Sequence, residues 1–244
     1  FSIEKLIFGV IAVFLITAAG NALNDYYDEK TDKINKPNRP IPLKLITKKQ
    51  ALVFSKILFI CGLILSWFVN IWAFGLALIN ICILWIYPKI KQKTIFSSII
   101  AAYLCGSVFL YAFTIIMVAE KLKLCVLLFL LSFLLMLSRE ITKDIADIRG
   151  DKNNKITIPI KYGIKFAGLI SAIIMALAVI LSLYLIDFFG KIYILAIFFA
   201  DTILIYCLIR LIFNAKKYAD ECSGLQKISA VIVIVAIIFC GIFF

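Results

Sequence analysis

Hydrophobic and polar positions along this chain alternate in long blocks rather than at strand spacing. Each apolar block approaches the roughly 20 residues that a helix needs to cross a hydrocarbon core about 30 Å thick. We predict eight spans, at approximately residues 3–23, 51–69, 71–87, 95–118, 122–137, 166–186, 192–213 and 228–244. The polar segments between them have the length of loops, so the pattern predicts an all-α, polytopic transmembrane helix bundle with no separate soluble domain.

The composition agrees with this pattern and narrows the chemistry. Hydrophobic residues make up 64% of the chain and the mean hydropathy is +1.07, whereas soluble domains contain roughly 45–50% apolar residues. The absence of histidine excludes imidazole bases and histidine-dependent nucleophiles. The seven cysteines stand singly, so we interpret them as small core residues in a reducing setting. Residues 2–5 lack the features of a signal peptide.

The net charge of +12 follows the predicted topology. When the loops are assigned alternately to two sides, nearly all Lys and Arg residues share the side of the loop 24–50. The exceptions are Lys5, Lys121, Lys123 and Lys191. By the positive-inside rule, the basic side is cytoplasmic. The excess charge therefore reflects topology and does not indicate nucleic-acid binding, although it has a possible second role in binding an anion.

Two acidic clusters end predicted spans on that cytoplasmic side. Each has polar or acidic residues at positions i, i+4, i+7 and i+11, which fall within roughly 60° of arc and form one stripe on a helix. The clusters are Asn21, Asp25, Asp28 and Asp32, and Glu140, Asp144, Asp147 and Asp151. Every member is 119 residues from its counterpart. This offset predicts one domain built from two pseudo-repeated four-helix halves, about 1–118 and 119–244, with both acidic stripes around one cavity.

A carboxylate stripe at the C-terminal end of a helix is unfavourable by itself. The acids repel one another and oppose the helix macrodipole. Solvated helix ends would explain one cluster equally well, but they explain the pair poorly. Asn and Asp oxygens without nearby His or Cys favour Mg²⁺ over zinc or copper, and no EF-hand pattern is present. Because Mg²⁺ commonly bridges carboxylates to phosphates, the clusters indicate a diphosphate substrate.

Basic residues on the same side are candidates to bind that diphosphate. Arg39 lies within "NRPIP", Lys91 follows Tyr87 by four residues, and Lys89 and Lys143 are further candidates. For any single lysine, topology alone remains the preferred interpretation. A metal-bound diphosphate at the mouth of an apolar bundle suggests a lipid with a diphosphate leaving group. Metal and cationic side chains would stabilise the departing charge, and a dry, aromatic-lined cavity would protect the allylic carbon.

These motifs resemble those of the UbiA family of intramembrane prenyltransferases, over nearly the whole chain. The resemblance implies a central cavity with a lateral opening to lipid, a capped cytoplasmic site, and Mg²⁺ held on a prenyl diphosphate. It assigns the NDxxDxxxD motif to Asn24, Asp25, Asp28 and Asp32, the DxxDxxxD motif to Asp144, Asp147 and Asp151, and YxxxK to Tyr87 and Lys91. It implies metal binding by both acidic motifs and catalytic roles for Asp28, Asp32, Asp147, Asp151, Tyr87 and Lys91. It implies diphosphate binding by Lys91, Arg39, Lys143 and Lys89, with Asn21 and Glu140 as auxiliary residues.

The family pattern also implies which group is transferred and which kind of molecule accepts it. Members usually have nine spans with the first acidic motif ending the second span, so a helix before residue 1 is expected. Within the family, "DKINKPNRPIP" is most similar to members that add a second geranylgeranyl chain to a glycerol phosphate in archaeal ether-lipid synthesis. The expected partners are a prenyl diphosphate donor, a lipid-like acceptor and membrane lipid, with no nucleic acid and no obligate protein partner.

Several alternatives stay open at this point. Within the family, the acceptor could instead be an aromatic quinone precursor or a tetrapyrrole. A cation transporter that uses the acidic stripes is the alternative from another class, and Asp201 within an apolar span favours it. A hydrogen bond from Asp201 to a neighbouring helix is the preferred explanation of that residue. The CDP-alcohol phosphotransferases lack support, since neither acidic cluster supplies their DG, AR and GxxxD elements.

Overall fold

Helices form the whole regular structure of the described chain. The computed structural model describes residues 2–35, 37–151 and 155–243. The elements are α1 (Ile3–Asn35), α2 (Lys48–Val69), α3 (Ile71–Ile90), α4 (Ser97–Ile116), α5 (Ala119–Ala146), α6 (Ile148–Asp151), α7 (Ile158–Tyr162), α8 (Ile164–Tyr184) and α9 (Ile186–Phe243). Within these described ranges, seven segments are long and apolar enough to span a membrane. The predicted all-α fold is confirmed, and the chain is an integral, multi-pass membrane protein.

The 58-residue helix α9 contains a reversal of chain direction. Asn214 has a non-helical backbone (φ −156°, ψ 77°), and its Oδ1 accepts a hydrogen bond from the Lys217 amide at 3.2 Å. Residues at nearly equal distances before and after Asn214 lie side by side. The Cys207 thiol donates to the Cys222 carbonyl at 3.9 Å and Cys222 to the Cys207 carbonyl at 3.8 Å, and Ser229 Oγ donates to the Ala200 carbonyl at 3.1 Å. The two arms of α9 therefore pack as an antiparallel hairpin.

The predicted spans 192–213 and 228–244 lie on these two arms as far as residue 243, and Phe244 lies outside the described residues. A count by length and composition takes both arms as one candidate span, Tyr193–Cys240, and so gives seven. The number of eight spans stays a prediction.

Two compact units can be distinguished, and each has its own core. Unit 1 consists of Phe1–Lys91 and Leu110–Lys121, and unit 2 of Gln92–Phe109 and Leu122–Phe244. Helix α4 contributes to both, and the predicted boundary between residues 118 and 119 stays a prediction.

Small residues allow α1 and α2 to approach closely in unit 1. A Cβ atom at Gly62 of α2 would lie 2.7 Å from Ile16 and 3.2 Å from the Ala12 carbonyl oxygen. About two turns before Gly62 on α2, Ser55 Oγ donates a hydrogen bond to the Ala19 carbonyl of α1 at 2.9 Å. A capping box between Thr47 and Gln50 fixes the start of α2. This packing holds the acidic end of α1 in a defined orientation.

In unit 2, a glycine likewise allows two helices to pack closely, and buried hydroxyl groups also contribute to the packing. A Cβ atom at Gly168 of α8 would lie 2.7 Å from the Ala215 Cβ and 3.1 Å from the Leu211 carbonyl oxygen of α9. Between α5 and α8, Ser171 Oγ lies 3.0 Å from Ser138 Oγ and 2.8 Å from Thr142 Oγ1. All three hydroxyl residues are buried. Buried hydroxyl groups need hydrogen-bond partners, so these three favour the helix packing in which they bond to one another.

Candidate active site

Arg39 joins two aspartates of the first acidic motif. Its Nη1 atom donates to Asp25 Oδ1 at 2.5 Å and to Asp32 Oδ2 at 2.8 Å. The loop after α1 brings the guanidinium back to the helix, since the Leu43 amide bonds to the Arg39 carbonyl and the Leu45 amide to the Pro40 carbonyl. Asp32 is only 5% exposed, so its ionised form requires such a partner.

Lys91 pairs with the remaining aspartate of that motif. Its Nζ donates to Asp28 Oδ2 at 2.5 Å and lies 3.5 Å from Asn24 Oδ1. The Lys91 amide bonds to the Tyr87 carbonyl at 2.9 Å, so the YxxxK pattern is one turn at the end of α3. Each aspartate of the first motif thus lies against a cationic side chain. Arg39 and Lys91, the two basic residues that the sequence favoured for binding the diphosphate, thus both contact the acids of unit 1, and their diphosphate-binding role stays a prediction.

Other predicted residues of unit 1 lie at the periphery. Lys89 is exposed and places its ammonium 5.6 Å from the ring centre of Trp85, within the same helix. Asn21 is exposed on α1, one turn before the motif. Lys48, which the sequence did not indicate, lies 3.5 Å from Glu29 and 4.6 Å from the ring centre of Tyr26.

The second acidic motif crosses the junction of α5 and α6. Helix α5 ends at Ala146, but the amides of Asp147 and Asp151 still donate to carbonyls four residues earlier, at 2.9 and 3.1 Å. The predicted helical stripe therefore continues through the junction. Ser98 Oγ donates to Asp144 Oδ2 at 3.3 Å, whereas Asp147 and Lys143 are exposed.

Cations also accompany this motif. Lys155 Nζ donates to Asp151 Oδ2 at 2.8 Å, and Arg139 Nη1 to Glu140 Oε1 at 2.9 Å. Burial by itself would lower the pKa of Lys155, but its hydrogen bond with Asp151 and the neighbouring carboxylates outweigh burial and raise that pKa. The ammonium consequently stays charged.

No group of three or more acidic, cysteine or histidine side chains within the described ranges is gathered closely enough to hold a metal ion. In unit 1, the carboxylates of the first motif contact Arg39 and Lys91. The donors are amide and carboxylate oxygens, which suit Mg²⁺ by their chemistry.

Sequence reasoning missed two partners of the second motif. Lys155 follows Asp151 by four residues, a spacing that predicts an ion pair on a helix, and this signal was available. Ser98 lies 46 positions before Asp144, and only tertiary packing brings them together.

Asp201 receives a hydrogen bond from Ser182 Oγ of α8 at 2.7 Å. The carboxyl group is buried, and its hydrogen-bond partner lies on a neighbouring helix. This agrees with the preferred interpretation of Asp201 from the sequence.

Comparison with known proteins identifies the family. The UbiA prenyltransferase family model matches residues 1–241. The chain belongs to the UbiA prenyltransferase family. It is therefore a prenyltransferase, and the cation-transporter alternative has no further support.

Family members with similar sequences and structures extend this result. Digeranylgeranylglyceryl phosphate synthase of Methanococcus maripaludis is 41% identical over 99% of this chain and 87% of that protein. A solved structure from a study of digeranylgeranylglyceryl phosphate synthase in membranes has a TM-score of 0.84 and 38% identity, and covers 100% of this chain and 88% of the other. A UbiA homolog from Archaeoglobus fulgidus, bound to DMAPP and Mg²⁺, has a TM-score of 0.65 at 18% identity, with 97% and 88% covered. This last likeness concerns the fold.

Proposed function

We propose that the chain transfers a geranylgeranyl group from geranylgeranyl diphosphate to geranylgeranylglyceryl phosphate, with Mg²⁺ and with release of diphosphate. The sequence similarity to digeranylgeranylglyceryl phosphate synthases over nearly the full chain supports this acceptor. The structural observation that carries the proposal is the pairing of all three aspartates of the first motif with Arg39 or Lys91. This helix end offers carboxylates that can bind a metal ion and, next to them, cationic side chains that can bind the anion held by that metal.

The residues of unit 1 have defined tasks in this reaction. Asp25, Asp28 and Asp32 would hold Mg²⁺, which stabilises the negative charge that develops on the departing diphosphate. When the donor is bound, Arg39 and Lys91 turn from the carboxylates to the diphosphate oxygens. Both cations then stabilise charge on the leaving group more strongly in the transition state than before it.

The second motif acts in the same way in this proposal. Asp144, Asp147 and Asp151 would supply further metal ligands, and Lys143 a further cation for the diphosphate. Lys155 balances the charge of Asp151. Because the positive-inside rule places the basic loops in the cytoplasm, we infer that both motifs face that side.

A direct assay tests the proposed reaction. Purified protein in detergent is incubated with Mg²⁺, labelled geranylgeranyl diphosphate and one acceptor at a time. We expect labelled product and equimolar diphosphate with geranylgeranylglyceryl phosphate, and neither when the metal is chelated. Product formation with an aromatic quinone precursor alone would contradict the proposed acceptor while leaving the prenyltransferase class intact.

A further inference from the structure

Unit 2 contains a small cavity between α4, α5 and α9 that the proposed reaction does not yet use. Its volume is about 120 Å³ and most of its wall is apolar. The polar side chains of Ser132, Arg139 and Gln226 line it together with apolar residues such as Phe109 and Val233. Two other lining residues, Cys105 and Ile234, are exposed on the surface of the unit, so a lipid can enter from outside.

Gln226 is held in one orientation at this cavity. The residue is only 3% exposed, and its Nε2 donates to Ser138 Oγ at 2.9 Å and points at Met175 Sδ at 3.1 Å. These contacts fix the amide plane. Its Oε1 is buried and has no hydrogen-bond partner among the described residues. A buried carbonyl oxygen without a donor is costly, so this atom lacks the partner that a ligand can supply.

Arg139 adds an unused donor to the same wall. Its Nε is buried and likewise without a partner in the described part of the chain. Its Nη1 is bound to Glu140 at 2.9 Å, so the charge of the guanidinium is already balanced. The two side chains therefore offer one acceptor and one donor but little net charge.

This pair of groups selects a neutral hydroxyl group. A hydroxyl group can donate to Gln226 Oε1 and accept from Arg139 Nε, whereas a fully ionised phosphate has no hydrogen to give to Oε1. The size of the cavity also limits the ligand. An apolar cavity of roughly 150 Å³ takes up benzene, so this one accepts about one isoprene unit or the end of a lipid, not a whole prenyl chain.

We propose that the cavity binds the glycerol part of the acceptor, a prenyl glycerol ether, and that Gln226 and Arg139 recognise its free central hydroxyl group. The inference rests on the proposed function, because that function supplies an acceptor with a free glycerol hydroxyl. Gln226 is a binding residue in this scheme, and Ser138 and Met175 position it.

Equilibrium binding without donor and without Mg²⁺ tests the proposal. The probes are geranylgeranylglyceryl phosphate and an analogue that lacks the free glycerol hydroxyl. We expect wild-type protein to bind the analogue about tenfold more weakly, and Gln226→Met to bind both probes alike. Ser171→Ala is the matched control, since it alters the same buried network away from the cavity and should keep the tenfold preference. Equal binding by wild type, or a preference retained by Gln226→Met, would overturn the proposal.

Cysteine modification gives a second readout that needs no variant. Cys105 lines the cavity and is exposed, while Cys61 and Cys82 are exposed cysteines of unit 1. We expect bound geranylgeranylglyceryl phosphate to slow N-ethylmaleimide labelling of Cys105 at least about fivefold, measured by peptide mass spectrometry, without protecting the other two. Labelling of Cys105 at an unchanged rate contradicts the site. Binding and protection without prenyl transfer would refute the proposed function but not the cavity.

Discussion

Asp28 is the residue on which the proposed chemistry of unit 1 depends most directly. Its carboxylate faces Lys91 at 2.5 Å, on the helix stripe that the spacing of the motif predicts. The sequence was sufficient to predict the stripe, and it indicated Arg39 and Lys91 as candidates to bind a diphosphate rather than as ion-pair partners of the stripe. It could not predict which carboxylate each cation contacts, because that depends on the course of the loop after α1 and on the packing of α3.

Replacing one carboxylate by an amide in each motif tests the metal assignment. Asp28→Asn and Asp147→Asn keep the shape of the side chain but remove the charge that holds Mg²⁺. We expect either variant to lower turnover at least about 100-fold while the melting temperature stays within a few degrees. Diphosphate release is the measurement.

Glu29→Gln is the matched control for these variants. Glu29 neighbours Asp28 in sequence but pairs with the exposed Lys33, so activity should remain near that of the wild type. An Asp28→Asn protein with more than half of the wild-type turnover would show that this residue does not hold the metal.

Removing the cation at Lys91 separates donor binding from folding. Lys91→Met keeps the length and apolar stem of the side chain but loses the charge that is proposed to contact the diphosphate. A charged hydrogen bond is worth about 1.5–3 kcal/mol, so we expect the KM for the prenyl diphosphate to rise roughly 10- to 100-fold. Lys93→Met, at an exposed position of the same loop, should leave KM unchanged. An unchanged KM in Lys91→Met would remove this residue from the diphosphate site.

At the scale of whole helices, the length of the apolar blocks was sufficient to predict the long helices, whereas the short helices α6 and α7 were not predicted. Every predicted apolar span overlaps an observed helix in the described part of the chain, because a helix satisfies its backbone hydrogen bonds within its own segment in lipid. The close contacts between helices were not predicted. Nothing in the sequence distinguishes Gly62 and Gly168 from Gly75. Of these three glycines, only Gly62 and Gly168 lie against a neighbouring helix.

Alanine substitutions at two glycines test this packing. At Gly168 an added methyl group would lie 2.7 Å from the Ala215 Cβ and 3.1 Å from the Leu211 carbonyl, two atoms that cannot rotate away. We expect Gly168→Ala to destabilise the protein by about 1–3 kcal/mol, seen as a lower melting temperature in detergent. At Gly75, where a Cβ meets nothing within 4 Å, alanine should be neutral or slightly stabilising. Equal melting temperatures of the two variants would contradict the contact between α8 and α9.

For the molecule as a whole, the reversal at Asn214 distinguishes a path of eight spans from one of seven. If α9 crossed the membrane once, Lys217 would be buried near the centre of the 48-residue segment Tyr193–Cys240. The antiparallel contact of Cys207 and Cys222 instead favours two spans with Lys217 at a membrane surface, and we propose from the charge pattern that this surface is cytoplasmic.

Single cysteines on a background without the seven native cysteines provide the test. A membrane-impermeant maleimide should label Lys217→Cys and Lys93→Cys in inverted vesicles only, and Lys121→Cys in right-side-out vesicles only. Prenyl transfer by the background protein must first be demonstrated, so that labelling reports the active fold. Labelling of Lys217→Cys from the side of Lys121→Cys, or from neither side, would contradict both the eight-span topology and the cytoplasmic position of the reversal. If Lys217→Cys is labelled from the same side as Lys93→Cys, the reversal in α9 lies on the membrane face where α3 ends. The diphosphate site is proposed for that face.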